Sequence, residues 1–371
     1  MSKLNAEQKM RRFSDKIISS EEANIVTLQL DLTDFCVCKC KGCEHWKWPT
    51  KTKLSMQNIE NSIMPFVKES SSLQSVVFSG GEPLLHPNVE FIAKSIKSFG
   101  KNVGIITSGL GKSNIDFKTL SESCSWIRFS TDGFTPENYF ETRGVNMFDK
   151  WTENLKTLLQ YNEKTGCETR LNVTIHEYNI DKFADGLCEF LTSNSLDVEV
   201  YFWLSREIID MCRKSFANTG DLTNDEYFKI RKIMTNIQQQ LNQLGWNIEN
   251  NGGNSKKINI SNVTKHLQGQ NSIYYESCFV PQLFLLVACD GNVFPCCYMY
   301  EPVFTMDKQQ LQYVVGNVVN QSVYSILRSE KYKSVVKEFR SCNKKFPQCK
   351  FCDRFDHINK YLNDLNQPIF L

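Results

Sequence analysis

The sequence predicts an α/β fold: a partial (β/α)6 TIM-type barrel followed by a small extension of a β-hairpin and a helix. Three observations support this prediction. Short apolar runs rich in β-branched residues alternate with helix-like stretches between residues 25 and 203. Polar and glycine-bearing segments follow the ends of several runs. A later apolar run turns back at Asp290-Gly291, as in a β-hairpin. Parallel strands with intervening helices favour one barrel over separate small domains.

Six apolar runs have the length and composition of buried strands. They are Ile25–Leu32, Leu73–Phe78, Asn102–Thr107, Trp126–Ser130, Arg170–Ile175 and Val198–Trp203. The stretches between them that read as helices include Ser55–Glu69, Asn88–Phe99, Phe148–Tyr161 and Ile180–Ser193. Ser55 and Asp149 are the expected N-caps of the first and third of these helices.

The same pattern divides the 371 residues into four segments. We expect a polar N-terminal extension (1–24), the barrel (25–203), an insertion or linker (204–275) and a C-terminal extension (276–371). The insertion holds an amphipathic stretch, Asp225–Leu244, and a polar run, Asn247–Lys257, that is predicted as a loop. Two interpretations of the insertion stay open: a lid over the barrel mouth, or a peripheral elaboration.

Composition excludes several classes of function. The net charge of +2 gives no basic surface of the kind that binds nucleic acid or an anionic membrane. No apolar stretch has the length of a signal peptide or a membrane span, so we expect a cytoplasmic protein. In a reducing compartment, the fifteen cysteines would serve metals or fill core positions and would not form disulfides.

The most informative motif follows the first predicted strand. Cys36, Cys40 and Cys43 form a C-x3-C-x2-C segment, which can hold three corners of a four-iron cluster and leave the fourth iron open. Electron carriers close all four positions with cysteine, so an open iron indicates another ligand, usually S-adenosylmethionine (SAM). A zinc site would pair a C-x2-C with a second close pair, and a plant-type ferredoxin spaces its first cysteines by four residues.

Four polar segments come directly after predicted strands. They are Cys36–Cys43, Gly80–Pro83, Thr107–Gly111 and Ser130–Gly133. In a barrel of parallel strands, the carboxyl ends of the strands carry the active site. The sequence therefore predicts that these four segments contribute to one site.

With these two motifs in place, the chain resembles the radical SAM enzymes. Family members carry C-x3-C-x2-C after the first barrel strand and a GGEP segment after the second. Here the second motif is SGGEPLLHP, with Gly80, Gly81, Glu82 and Pro83. The resemblance implies that this segment accepts hydrogen bonds from the methionyl amino group of SAM, because glycines permit close approach to a ligand.

Further cofactor contacts are implied by the resemblance. Ser130 and Asp132, in FSTDG, occupy the place where relatives contact the ribose or methionyl part of SAM. Arg143 resembles the arginine that some members direct at the SAM carboxylate, a task that suits its planar fork. Ser108 stands in TSGLG where relatives often show Asn-Gly. A solvated surface arginine is the alternative interpretation of Arg143.

Two residues within the cysteine segment depart from the family pattern. Gly42 replaces the aromatic residue that many relatives carry before the last cysteine, although the backbone there can still reach an adenine. Cys38 lies between the first two ligands and breaks the expected register, and we interpret it as a bystander.

A second set of cysteines lies in the C-terminal extension. Cys278, Gly291 and Cys296 form a C-x12-G-x4-C pattern, and Cys349-Lys-Phe-Cys352 follows much later. Spacing alone leaves zinc and a second iron–sulfur cluster as alternatives. The pattern is similar to the auxiliary-cluster extension of radical SAM enzymes, in its short Twitch form rather than the longer SPASM form. The resemblance thus implies one auxiliary four-iron cluster on Cys278, Cys296, Cys349 and Cys352.

The remaining cysteines have weaker claims. Cys297 adjoins Cys296 and is the alternative ligand, and it is also a candidate hydrogen-atom donor to a substrate radical. The others are interpreted as buried thiols, because free cysteine packs as a small hydrophobe; they are Cys124, Cys167, Cys188, Cys212, Cys289 and Cys342.

The resemblance also implies a mechanism and partners. A reduced cluster, supplied by a flavodoxin- or ferredoxin-type donor, would cleave SAM to a 5′-deoxyadenosyl radical that takes a hydrogen atom from the substrate. The short N-terminal extension favours a small carbohydrate or aminocyclitol, which would be dehydrogenated or epimerised. One alternative is maturation of a ribosomally made peptide by epimerisation, oxidation or cross-linking. Another, of a different class, is an iron–sulfur module for electron transfer or sensing.

Overall fold

The computed structural model describes residues 14–19, 22–43, 45–47, 51–216, 223–247, 252–253, 258–260, 263, 266–267, 277–300, 313–341, 352 and 359. The strands in this part are β1 (Thr27–Thr33), β2 (Ser75–Gly80), β3 (Asn102–Thr107), β4 (Trp126–Thr131), β5 (Glu168–Ile175), β6 (Glu199–Leu204), β7 (Trp246–Asn247), β8 (Gly252–Gly253), β9 (Ile258–Asn259), β10 (Phe284–Val287), β11 (Asn292–Phe294) and β12 (Gly316–Asn317).

Helices follow most strands of the barrel region. They are α1 (Ser14–Ser19), α2 (Met56–Asn58), α3 (Met64–Glu69), α4 (Val89–Ser98), α5 (Phe117–Ser123), α6 (Pro136–Arg143), α7 (Phe148–Thr165), α8 (Leu187–Ser193), α9 (Arg206–Phe216), α10 (Asn224–Gln243), α11 (Val280–Leu283), α12 (Val323–Arg328) and α13 (Glu330–Arg340). A π-helical turn, Ile59–Ile63, joins α2 to α3. None of the helices described combines the length and the apolar character needed to cross a membrane.

The chain forms two compact units. The first contains residues 1–35, 47–104 and 273–371, and the second contains residues 36–46 and 105–272. Strand β3 passes from the first unit into the second. The first unit is discontinuous in sequence because β10 of the C-terminal extension pairs with β1, and the second because it includes residues 36–46.

In the first unit, β1 lies between β2 and β10, and both neighbours run parallel to it. Strands β10 and β11 form an antiparallel hairpin that turns at Gly291, and β12 pairs with β11. The predicted hairpin is therefore confirmed, but its parallel pairing with β1 was not expected. Both β1 and β10 are almost completely buried, so each is covered on both faces, as is typical of strands in a parallel sheet.

The second unit contains the parallel strands β4, β5, β6 and β9, in that order. Helices α7 and α8 cover them with an aromatic cluster in which Trp151 contacts Tyr139, Phe148 and Phe190. Trp151 and Tyr139 are fully buried, so this cluster holds α6 and α7 against the sheet. The α/β class with parallel strands is confirmed.

The observed helix limits agree with one of the sequence predictions and disagree with two. Ser55 caps α2 as predicted, and its hydroxyl accepts the Asn58 amide. The Asp149 cap is wrong, since α7 begins at Phe148 with Met147 at the N-cap. The helix predicted from Ile180 begins only at Leu187, because the backbone at Gly186 is left-handed, with φ of +76°.

Two further expectations need correction. The polar run Asn247–Lys257 is not wholly a loop, since Asn247 pairs with Gly252 in a short antiparallel ladder. The helix predicted over Asp225–Leu244 is confirmed as α10.

Cys188 is exposed rather than buried, because it lies on the solvent side of α8. Cys124, Cys167, Cys212 and Cys289 are buried as expected, and Cys342 lies outside the described residues.

Candidate metal centres

The predicted cluster segment is held against the C-terminal end of α6. The amide of Lys39 donates to the carbonyl of Arg143 over 2.8 Å, and the amide of Lys41 donates to the carbonyl of Thr142 over 3.0 Å. The Trp46 indole donates to the carbonyl of Cys40. These backbone contacts fix the segment, while Cys36, Cys40 and Cys43 remain only half-buried.

Arg143 connects this segment to the end of β4. Its Nη1 lies 3.5 Å from Cys40 Sγ, and its Nη2 lies 3.3 Å from Asp132 Oδ2. Burial alone would lower the pKa of Arg143, but the negative charges of Asp132 and Cys40 outweigh burial and raise it well above its usual value. Nε is buried and has no hydrogen-bond partner among the described residues. The alternative of a solvated surface arginine is therefore wrong.

Asp132 is anchored from the other side by β5. Its Oδ1 accepts the amide of Thr174 over 2.8 Å. The side chain of the fully buried Asn179 donates to the carbonyls of Asp132 and Thr174. Both carboxylate oxygens of Asp132 are therefore engaged, and the ends of β4 and β5 hold Arg143 in place.

An aromatic pair lies against Gly42. The rings of His176 and Tyr178 stack with centroids 4.6 Å apart and planes 12° from parallel. A Cβ atom on Gly42 would lie 2.4 Å from His176 Cε1 and 3.0 Å from the Tyr178 hydroxyl. Gly42 is thus required by close approach. Burial lowers the pKa of His176, so its imidazole is neutral near pH 7.

The thiols of the segment interact with one another. A hydrogen bond to Cys36 raises the pKa of Cys38 to about 12, and a hydrogen bond to Cys38 raises the pKa of Cys40. Burial raises the pKa of Cys43. Within the described residues, no three His, Cys, Asp or Glu side chains converge on one ion position. A four-iron cluster does not require such convergence, because each cysteine binds a different iron.

The GGEP loop belongs to the first unit. The amide of Gly81 donates to the carbonyl of Thr33, and the amide of Glu82 donates to the carbonyl of Phe35, the residue that precedes Cys36. A Cβ on Gly81 would lie 2.5 Å from that carbonyl. Glu82 is fully buried, and its carboxylate accepts the Leu84 amide and so caps the turn Pro83–Leu85. The loop is therefore shaped by its own residues and by hydrogen bonds to carbonyls at and just after the end of β1.

Two predicted serines lie at the ends of strands. Ser130 is half-buried near the end of β4, opposite Asn172 of β5. The Ser108 hydroxyl closes the turn after β3, where it accepts the amide of Leu110. A cofactor contact at either serine stays a prediction.

A buried polar cluster in the first unit was not predicted. Asp31 accepts hydrogen bonds from Gln29 and Ser79 at the ends of β1 and β2. Burial, followed by the charge of Asp34, raises the pKa of the Cys289 thiol. The alternation of buried polar residues at the end of β1 was the available signal. The same kind of signal, polar residues straight after β5, marked His176, Tyr178 and Asn179 in the second unit.

The C-terminal cysteines are also brought together. Cys278, Cys296 and Cys352 are each at most 6 % exposed. A hydrogen bond to Cys297 raises the pKa of Cys296, as do burial and the charges of Cys297, Cys352 and Cys278. Asn359 donates to Cys278 Sγ over 3.4 Å. Cys297 is half-buried beside this group, and Cys349 lies outside the described residues.

Two models of known protein families match parts of this chain. A family model described as the radical SAM superfamily matches residues 30–185. A second, described as the SPASM iron-sulfur cluster-binding domain, matches residues 278–354. The chain carries a radical SAM domain followed by a SPASM domain. The SPASM match begins at Cys278 and includes the other three predicted ligands of that site.

Relatives of this radical SAM protein include a tungsten-containing aldehyde ferredoxin oxidoreductase cofactor-modifying protein of Pyrococcus furiosus. The two are 23% identical over 339 residues, 89% of this chain and 87% of that protein. A probable GTP 3′,8-cyclase of Sulfurisphaera tokodaii is 25% identical over 47% of this chain and 54% of its own length.

Solved structures share the fold. Streptococcus suis SuiB bound to S-adenosylmethionine has a TM-score of 0.59 and 14% identity, over 99% of this chain and 82% of SuiB. The protein anSMEcpe with bound AdoMet has a TM-score of 0.57 and 17% identity, over 89% of this chain and 87% of anSMEcpe. These likenesses confirm the radical SAM partial barrel.

The cofactors follow from the two domains: SAM with a four-iron cluster, and auxiliary iron–sulfur binding in the SPASM domain. The residues present fit these groups. Three half-buried thiols stand in one fixed segment, and the free Nε–H of Arg143 is a buried donor beside Cys40. The three buried thiols of Cys278, Cys296 and Cys352 suit a closed cluster.

Proposed function

We propose that this radical SAM protein is an enzyme that reductively cleaves SAM and abstracts a hydrogen atom from its substrate. Cys36, Cys40 and Cys43 are the proposed ligands of the SAM-binding cluster. The proposal rests mainly on the contacts of Arg143. Its guanidinium donates a hydrogen bond to Cys40 Sγ, while its Nε–H has no partner among the described residues. A cationic donor left free beside a cluster ligand suits the carboxylate of SAM.

The predicted cofactor residues other than Ser108 each have a proposed role. The loop Gly80–Pro83 offers backbone carbonyls to the SAM amino group, since the Glu82 carboxylate already accepts the Leu84 amide. Ser130 contacts the ribose or methionyl part. Asp132 acts through Arg143, because both its oxygens are engaged by Arg143 and Thr174.

The bound cofactors supply one-electron cleavage of the sulfonium and hydrogen-atom abstraction. The chain holds the cluster segment through the carbonyls of Thr142 and Arg143 and keeps the donor charge of Arg143 away from water. A flavodoxin- or ferredoxin-type protein is the proposed electron donor.

The second proposed cluster is a four-iron cluster on Cys278, Cys296, Cys349 and Cys352. Burial of the three described thiols supports full protein ligation, which suits electron transfer rather than ligand binding. Such a cluster would supply an electron acceptor for a dehydrogenation or an electron donor for an epimerisation. These two reactions are the proposed outcomes.

The substrate is proposed from two candidates. A small carbohydrate or aminocyclitol is the first, as expected from the sequence. A peptide is the second, supported by fold-level analogy alone: SuiB is known bound to precursor peptide SuiA, and anSMEcpe to a Cp18Cys peptide, with TM-scores of 0.57 and 0.54. We favour the peptide, because these likenesses span most of this chain.

The test is anaerobic reconstitution followed by incubation with dithionite, SAM and either sugars or peptides. Release of 5′-deoxyadenosine that rises with a peptide supports the favoured version, and release that rises only with sugars supports the other. Absence of 5′-deoxyadenosine in every mixture, with the cluster loaded, would remove the proposal and favour an electron-transfer or sensing module.

A further inference from the structure

Arg143 is buried beside Cys40, one of the three predicted ligands of the SAM-binding cluster. The side chains of Arg143 and Asp132 are 9% and 6% exposed. One end of the guanidinium donates to Cys40 Sγ over 3.5 Å, and the other lies 3.3 Å from Asp132. The site therefore contains a fixed, buried cation in direct contact with one cluster ligand.

A positive charge that contacts a cluster ligand changes the reduction potential of the cluster. Hydrogen bonds and positive charge at a ligand sulfur stabilise the reduced cluster, which carries one more negative charge, and so raise its potential. Arginine cannot lose its proton in a protein, so this charge is constant. Burial reduces screening by water and salt, so the interaction is stronger than at the surface.

We propose that Arg143 sets the reduction potential of the cluster on Cys36, Cys40 and Cys43 through its hydrogen bond to Cys40, with Asp132 as the opposing charge. This role is separate from SAM binding, which uses the free Nε–H. It rests on the proposed function, because the cluster must occupy the three cysteines. Arg143 acts on the cluster through Cys40 and is here a positioning residue.

Lys41 provides a matched comparison. It belongs to the cysteine segment and also carries one positive charge. Its ammonium lies 3.1 Å from Glu141 and 5.5 Å from the Tyr178 ring centroid, and its side chain is 45% exposed. Because this charge is solvated and already paired, its loss has little effect on the cluster.

The experiment is an anaerobic redox titration of the reconstituted full-length protein without SAM, followed by EPR. The signal to follow is the one that Cys36→Ala removes. In Arg143→Gln the reduced-to-oxidised ratio at a fixed potential falls at least tenfold, which is 59 mV for one electron. Asp132→Asn shifts it in the opposite direction, Arg143→Lys lies between Gln and wild type, and Lys41→Gln matches wild type.

Opposite shifts separate tuning from a structural role, because damage to the site lowers cluster content in both variants alike. If Arg143→Gln lacks the signal that depends on Cys36, Arg143→Lys and Asp132→Asn decide. A wild-type protein with no signal that depends on Cys36 would overturn the proposed function and this inference together. A normal cluster whose potential is unchanged in Asp132→Asn and in the Arg143 variants would overturn the inference alone.

Discussion

The two sulfur-rich sites of this protein differ in burial and in the group that contacts the thiols. Cys36, Cys40 and Cys43 are half-buried in one segment, and a charged guanidinium contacts Cys40. Cys278, Cys296 and Cys352 come from distant parts of the chain and are nearly inaccessible. There the donor is the neutral amide of Asn359, which bonds Cys278 Sγ.

This difference matches two kinds of chemistry. An accessible cluster with an adjacent cation can bind an anionic cofactor and accept an electron. A buried cluster with neutral donors can exchange electrons but has no room for a ligand. Thiol number alone does not distinguish the sites; the surroundings of the thiols do. The comparison would fail if both sites bound SAM, or if the C-terminal site held zinc.

The largest loss of iron and activity is expected when one of the three predicted ligands of the SAM-binding cluster is replaced. Replacing Cys36, Cys40 or Cys43 by Ala removes a ligand, so about four irons and all SAM cleavage are lost. Cys38→Ala, in the same segment, is the matched control and keeps both within a few-fold. Iron analysis and assay of 5′-deoxyadenosine measure this. Equal losses in Cys38→Ala would contradict the assignment of ligands.

The second prediction is a difference in iron content between variants of two adjacent cysteines, Cys296 and Cys297. Cys296→Ser removes a ligand of the buried site, so iron falls from about eight to about four per chain. Cys297→Ser keeps the iron, because in our account Cys297 is not a ligand but a half-buried hydrogen-bond partner of Cys296. Zinc in either protein after anaerobic purification would show that the site is not a cluster.

A smaller effect concerns the fit at Gly42. Gly42→Ala places a methyl group against the His176 ring, where a Cβ would lie 2.4 Å away. The displaced segment lowers SAM cleavage about 10–100-fold, the range for groups that support metal ligands. Gly42→Ala combined with His176→Ala restores part of the activity, and the coupling is measured by a double-mutant cycle. Purely additive losses would show that the contact does not matter.

The smallest effect is expected at Asn359, which also accepts the Phe279 amide. Asn359→Leu leaves that buried amide without its partner and costs about 1–3 kcal/mol of stability. The potential of the auxiliary cluster falls less than the potential of the other cluster does in Arg143→Gln, because the lost donor is neutral. A thermal melt and the same redox titration measure these changes. An equal or larger fall would remove the contrast between the two sites.

Local sequence patterns located most of the fold. The strand runs before Cys36 and Gly80 were found from apolar composition, and Ser55 was found from cap chemistry. The pairing of β10 with β1 was missed, because parallel partners far apart in sequence leave no local signal. Gly186 was missed because a left-handed residue inside an apolar pattern looks like a helix interior.

The site was predicted in part. Spacing selected Cys36, Cys40 and Cys43 as candidate ligands, and the resemblance implied that Asp132 and Arg143 contact the cofactor, which stays a prediction. It did not indicate that Arg143 contacts Cys40, because that contact joins residues 103 positions apart. His176 and Tyr178 were missed for the same reason: their relation to Gly42 exists only after β5 packs against β4.

The most direct test is EPR of the dithionite-reduced protein with and without SAM. Our account predicts two cluster signals, of which SAM changes one, and Cys36→Ala removes the one that changes. A protein in which SAM perturbs both signals, neither signal, or the signal that survives in Cys36→Ala would contradict the division into an open and a closed site.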